Sequence, residues 1–248
     1  MLNRRGFLAG MMACPICARA ARAEGAAHWE YDGAKGAEKW GELDPTFRAC
    51  AVGSEQSPID LADAVAAKLD HVEIDWKPQA FEIVNNGHTI QANAAPGSSL
   101  KIGKQSYALK QFHFHTPSEH ALEGKRLAME THFVHADANG RLAVVGVFLA
   151  AGAAGNAALT RIMKAAPAQP GSAKLDAPLD AETFVPSKGA LYRYEGSLTT
   201  PPCSEIVDWN VFAEPVAVAQ ADIDAFKQIF PNNARPLQPR NRRFVLEE

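Results

Sequence analysis

The sequence predicts a single β-dominated domain with minor helices. Three observations predict it. Short apolar or alternating runs of strand length recur between Pro, Gly and Asn turns. Only two stretches have helical spacing or composition. The 248 residues, 47% hydrophobic and 21% charged, hold no internal repeat, no low-complexity linker and no apolar run of membrane-spanning length.

In chain order, residues 81–84 and 88–92 read as strands flanking the turn Asn85-Asn86-Gly87. Residues 106–109 form another short run. Residues 112–115, Phe-His-Phe-His, alternate as a strand. Side chains two apart share a face, so His113 and His115 point together while Phe112 and Phe114 point the other way. Residues 144–149 are a continuous apolar strand, followed by a small, turn-like loop at 150–156. Residues 157–166 have helix-forming composition and end at Pro167. Residues 205–212 return to strand character. A second helix is predicted over 219–230, where Ile223, Phe226, Ile229 and Phe230 fall at helical spacing and Pro231 stops it.

The His-x-His pair carries the chemistry. A neighbouring strand bearing Glu130-Thr131-His132 could add a third imidazole to the face of His113 and His115. Three neutral imidazoles leave one tetrahedral position of Zn²⁺ open, the layout of a catalytic site. Gln111, Glu119 and Glu130 lie nearby, and a ligating His usually gives its other N–H to such a group. A half-buried strand whose histidines only satisfy local partners is the plainer reading of the pair alone; the second cluster weakens it.

These residues resemble the α-class carbonic anhydrases, and the rest of the chain continues the match in order. His28-Trp29-Glu30-Tyr31, Trp40-Gly41, Gln56-Ser57-Pro58-Ile59-Asp60 and Asn85-Asn86-Gly87-His88 precede the His segments. Residues 142–149, Gly196-Ser197-Leu198-Thr199-Thr200-Pro201-Pro202-Cys203 and Asn233-Ala234-Arg235-Pro236 follow them. The resemblance covers all but the N-terminal tail. It implies a large, twisted, mostly antiparallel central sheet of about ten strands with small helices around it. It implies one Zn²⁺ on His113, His115 and His132, and reversible hydration of CO₂ to bicarbonate and a proton by a zinc-bound hydroxide. Carbonic anhydrase is the standard case of a His₃ zinc that brings the pKa of its water to about 7.

The resemblance also assigns roles. Thr199 would donate to Glu119 and so accept from the attacking oxygen, orienting it. Thr200 would meet substrate oxygens. Val134, Val144, Leu198, Val207 and Trp209 would form an apolar wall for CO₂, although plain core packing explains such residues too. Gln111, Glu130 and a backbone carbonyl near Asn233 would hold the outer N–H groups of His113, His132 and His115. His88 would relay the proton along a path lined by Tyr31, Asn86 and Gln91, where spacing alone suggests a turn histidine. His120 and His135 read as hydrogen-bonded structural histidines, and His28 and His71 as surface or structural ones. Glu30 departs from the glycine common at its position, Thr116-Pro117 replaces a tryptophan of animal members, and Gln91 an asparagine. Sulfonamides and anions are the expected inhibitors, and a monomer or homodimer the expected assembly.

Asn3-Arg4-Arg5-Gly6-Phe7-Leu8, a short apolar stretch and Ala21-Arg22-Ala23 have the pattern of a twin-arginine export signal over residues 1–23, leaving a domain at 24–248. An ordinary Sec signal shares the basic end. Lipoprotein processing at Cys14 is disfavoured by Pro15 and by Met11, where leucine is usual. Without those residues the chain has 21 basic and 28 acidic side chains, a net charge of −7. That balance argues against a nucleic-acid partner, and no membrane association is expected after signal removal. Cys14 and Cys17 fall within the signal. Cys50 and Cys203 remain, and an even pair in the oxidising periplasm is read as a disulfide, a pairing the resemblance supports.

Two other readings compete. A cupin-type oxygenase shares His113-x-His115-x₃-Glu119, but Tyr107 and Arg126 stand where its glycines belong. A non-catalytic periplasmic zinc-binding relative is the other, and Thr199, Glu119 and His88 argue against it.

Overall fold

The computed structural model describes residues 27–248. The export-signal reading of residues 1–23, with Cys14 and Cys17, lies outside the described residues. Twelve strands form one sheet. They are β1 (Val65–Ala66), β2 (Val72–Asp75), β3 (Glu82–Asn85), β4 (Ile90–Asn93), β5 (Ser99–Ile102) and β6 (Gln105–His115), then β7 (Met129–Ala136), β8 (Leu142–Ala151), β9 (Gly171–Lys174), β10 (Leu191–Gly196), β11 (Val207–Val218) and β12 (Leu246–Glu247). Their spatial order is β1-β12-β10-β11-β8-β7-β6-β4-β3-β9, with β2 joined through β5 to β6. Only β1–β12 and β8–β11 pair in parallel. The expectation of a large, mostly antiparallel sheet with small helices holds.

The centre of the sheet follows from composition. In β8 every residue from Leu142 to Leu149 is buried, as an apolar run covered on both faces requires. Its neighbours β7 and β6 are antiparallel, with His113 directly across from His132 and His115 across from Glu130. The runs at 106–109 and 112–115, which read as separate in the sequence, are one eleven-residue strand. A register shift between Leu109 and Gln111 marks an irregularity against β7. Phe112, Phe114 and Phe133 enter the larger core with Phe81 and Phe184. Each such ring removed from water contributes about 1.5–3 kcal/mol as an upper estimate. The imidazoles of the same strands are left on the other face.

The helices α3 (Ala157–Ala165) and α4 (Gln220–Ile229) match the predicted spans to within a residue at each end. Asn156 caps α3 by accepting from the N–H groups of Ala158 and Leu159. Leu159, Ile162, Ile223 and Phe226 turn their apolar faces to the larger core. The loop expected at 150–156 starts two residues late because β8 continues to Ala151 against β11. Two one-turn helices, α1 (Trp40–Leu43) and α2 (Ala49–Val52), were not legible in the sequence. Cys50 in α2 is bonded to Cys203, 153 residues away, with S–S 2.05 Å.

Candidate active site

β6 and β7 set three imidazoles at one point. His113 and His132 are register partners, and His115 lies two residues along the same face. One ring nitrogen from each lies within 4.8 Å of the other two. Each ring's other nitrogen is taken. His113 Nδ1–H donates to Gln111 Oε1 at 2.8 Å, His115 Nδ1–H to the Asn233 carbonyl at 2.7 Å, and His132 Nε2–H to Glu130 Oε1 at 2.9 Å. These acceptors fix the tautomers, so His113 and His115 face the centre with Nε2 and His132 with Nδ1.

Burial favours the neutral form of His113 and His115. Burial, then the neighbouring imidazoles His115 and His132, hold His113 well below the usual histidine range. Burial also lowers His115, against an opposing pull from Glu119. Burial alone would raise the Glu130 carboxyl, but His120 and His132 keep it well below the usual carboxylate range. Glu130 accepts from His132 and also from the His120 backbone and ring, at 2.9 and 2.7 Å. The other ring nitrogen of His120 lies 2.6 Å from the Tyr194 hydroxyl, itself 2.9 Å from Ser57 Oγ. Gly146 faces His132 across β7–β8, and a Cβ there would come within 3.0 Å of Glu130 Oε1. The glycine leaves room for the carboxylate.

The donor set suits a divalent metal. His115 Nε2 and Glu119 Oε2 are buried without hydrogen-bond partners among the described residues, 3.5 Å apart. A buried nitrogen lone pair left unpaired is costly unless something binds it, and a cation at this point would satisfy it. Three imidazoles suit Zn²⁺ with a fourth position open.

Around the centre the chain supplies one polar and one apolar side. Glu119 Oε1 accepts from the Arg235 N–H at 2.8 Å. The expected hydrogen bond from Thr199 to Glu119 is not made here: among the described residues Oε1 accepts from Arg235 and Oε2 has no partner. Thr199 is buried in the loop after β10. Thr200 offers its carbonyl to the Cys203 N–H at 2.9 Å, which ties that loop to the disulfide. Val144, Val207 and Trp209 belong to one buried cluster, with Val134 and Leu198 packed against it. The Trp209 ring lies 4.8 Å from that of His132. The five apolar residues singled out in the sequence thus share one cluster.

His88 sits apart, at the rim. Its ring stacks on Trp29 at 3.7 Å and 9°. A cavity of about 320 Å³ opens there, lined by His28, Trp29, Tyr31, His88, Phe230 and Asn232 among others. Burial and then the nearby His28 push His88 down to about 4, while Glu30 opposes them. Burial, with the Glu119 charge adding, holds the Tyr31 hydroxyl well above the usual range. Asn86 and Gln91 are hydrogen-bonded to each other at 3.5 Å. His135 is structural as expected, accepting from the Trp76 indole at 3.0 Å, and so is His120. His28 is exposed beside Glu30 at 3.2 Å, and His71 is exposed as well.

Sequence reasoning missed two residues. Trp29 is the platform under His88. Buried Arg235 donates to Gln56, the Ser57 carbonyl and the Cys50 carbonyl, and its guanidinium lies over Trp40. Both stand inside motifs quoted for other residues, and their roles depend on contacts about 60 and 180 positions away.

A twisted sheet that presents three outward-backed imidazoles beside an acid, a threonine loop and an apolar wall defines a metal-site enzyme of the hydrating or hydrolytic kind. Comparison with known proteins narrows the class. The family "Eukaryotic-type carbonic anhydrase" matches residues 35–248. A carbonic anhydrase of Neisseria gonorrhoeae is 40% identical over 96% of this chain and 94% of its own length. One of Nostoc sp. is 44% identical over 89% of this chain and 86% of its own length. The α-carbonic anhydrase of Thermovibrio ammonificans, solved with the inhibitor sulfanilamide, superposes with TM-score 0.87 at 44% identity. That match covers 90% of this chain and all of the other. The chain belongs to the α-class carbonic anhydrase family and is an enzyme of that class.

Proposed function

We propose that this chain hydrates carbon dioxide reversibly to bicarbonate and a proton at one Zn²⁺ held by His113, His115 and His132. The observation that carries the reading is the convergence of three imidazoles, each backed by its own acceptor, within 4.8 Å. When bound, Zn²⁺ supplies the Lewis acidity that makes water a nucleophile near neutral pH.

The chain's own residues do the rest. Gln111, Glu130 and the Asn233 carbonyl hold the rings in register, so little reorganisation is needed at each turnover. Val134, Val144, Leu198, Val207 and Trp209 exclude water and accept a small apolar substrate. A Thr199 hydroxyl that donates to the free Oε2 of Glu119 could only accept from the attacking oxygen, which would direct that oxygen's remaining lone pair at carbon. Thr200 meets the substrate oxygens. His88 carries the product proton outward past Tyr31, Asn86 and Gln91. In its place against Trp29 the ring is a weak base, so it takes the proton from a more hydrated position nearer the ordinary histidine pKa of about 6.5.

Metal analysis with stopped-flow CO₂ hydration, with and without a sulfonamide, tests the reading. One zinc per chain with sulfonamide-sensitive hydration is expected; a zinc-loaded protein without hydration overturns it. The Cys50–Cys203 bridge and the absence, among the described residues, of a helix long and apolar enough to cross a membrane suit an exported, periplasmic protein. Export by the twin-arginine route is part of this proposal. Changing Arg4 and Arg5 both to Lys should stop periplasmic accumulation, and unchanged export would favour the Sec route.

A further inference from the structure

Four side chains beside the ligand strand form a polar ladder with a direction. Asn86 Oδ1 accepts the N–H groups of His88 and Thr89, each at 2.9 Å, and so closes the turn that carries His88. Asn86 Nδ2 donates to Gln91 Oε1 at 3.5 Å, Gln91 Nε2 to Asn93 Oδ1 at 2.6 Å, and Asn93 Nδ2 to Glu82 Oε2 at 3.1 Å. Gln91 stands opposite His113, and Asn93 opposite Gln111, across β4–β6.

A side-chain amide can be turned over at little steric cost, exchanging donor for acceptor. Both ends of this ladder forbid the exchange. Backbone N–H groups only donate, so Asn86 must give them its oxygen and Gln91 its nitrogen. A carboxylate only accepts, so Asn93 must give Glu82 its nitrogen and Gln91 its oxygen. The two constraints agree at Gln91.

We propose that Glu82 is a positioning residue for proton transfer. Acting through Asn93 and Gln91, it fixes the donor–acceptor sense of the amides along the relay and holds the Asn86 turn, with His88, in place. The inference rests on the reaction proposed above, and Glu82 acts on it only through other residues. Glu82 is also the register partner of Lys174 in β3–β9, so its charge and its acceptor role must be separated.

Three variants separate them. Glu82→Gln keeps an acceptor for Asn93 and loses the charge. Glu82→Lys presents only donors, turning Asn93 and then Gln91, whose nitrogen would meet the Asn86 nitrogen that the turn holds in place. Adding Asn93→Asp to Glu82→Lys gives the new ammonium a carboxylate and returns an acceptor to Gln91. In zinc-loaded protein and dilute, bulky buffer, Glu82→Lys should lower kcat about threefold or more while kcat/KM stays within about twofold. Glu82→Gln and the double variant should behave as wild type. The His88 ring protons give a readout independent of activity, because stacking on Trp29 at 3.7 Å shifts them upfield. That shift should persist in wild type, Glu82→Gln and the double variant, and shrink in Glu82→Lys. An unmoved signal in Glu82→Lys overturns the proposal, as does a Glu82→Gln variant as impaired as Glu82→Lys, which would make charge the cause. If wild type fails to hydrate CO₂, the proposed reaction falls, and the NMR pattern still decides the ladder.

Discussion

At the scale of single residues, the site depends on which nitrogen each imidazole has free. His132 differs from its partners in facing the centre with Nδ1, because Glu130 holds its Nε2. His132→Ala removes one of the three proposed ligands and leaves Glu130 with a single imidazole, His120. Metal affinity should fall by more than about 100-fold, beyond what losing an outer partner costs, with hydration lost alongside. Stoichiometric, tightly held zinc in that variant, read by elemental analysis after dialysis, would exclude the ligand assignment. His88 is limited by its neighbour. Burial against Trp29 holds it at about 4, so the ring is neutral across the physiological range. Trp29→Ala should let water reach the ring and raise its pKa toward the ordinary value of about 6.5, visible by NMR titration between pH 4 and 7. A ring that still titrated near 4 would show that Trp29 is not what dehydrates it.

At the scale of elements, β7 serves both faces of the sheet at once. His132 joins the cluster of three imidazoles, while His135 accepts the Trp76 indole N–H at 3.0 Å and its Nδ1 lies 3.3 Å from the Ala143 carbonyl. Burial lowers the His135 pKa to about 3. The folded protein keeps the ring neutral, whereas the unfolded chain protonates it below about 6.5. Stability should therefore fall as pH drops from about 6.5 toward about 3, by up to roughly 5 kcal/mol from this residue. In His135→Phe, the slope of urea-derived stability against pH between 6 and 4 should shrink by about one proton. An unchanged slope would mean that another group takes up the proton. This histidine also shows where the sequence could be read. It was read as a hydrogen-bonded structural histidine, but its partner Trp76, 59 positions away, was not legible. The convergence of the three imidazoles was legible because period-two alternation at Phe112–His115 acts within one strand, and because His132 needed only an adjacent strand. The parallel β8–β11 pairing and the one-turn helices at Trp40 and Ala49 were not, since crossover order and short turns leave no periodic trace. The Thr199–Glu119 contact was expected from resemblance and is not made in this structure.

At the scale of the whole molecule, one covalent link joins the N-terminal segment to the loop that carries Thr199 and Thr200. Cys50 and Cys203 lie 153 positions apart, and chain entropy assigns such a closure a stabilisation of about 5 kcal/mol. Arg235 holds the same N-terminal segment without covalent chemistry, reaching the Cys50 carbonyl at 3.0 Å while its backbone N–H donates to Glu119. The segment is therefore anchored twice. If the chain crosses the membrane folded by the twin-arginine route, it must reach its native state in a reducing compartment, before the bridge can form. The second anchor and the continuous core under β6–β8 make that feasible. A variant with both cysteines changed to serine should fold, bind one zinc and unfold cooperatively in urea, with stability reduced by about 2–5 kcal/mol. It should also accumulate in the periplasm, since folding before export does not need the bridge. A double-serine variant that stayed unfolded would rule out export of the folded chain and leave the Sec route, in which oxidation accompanies folding outside.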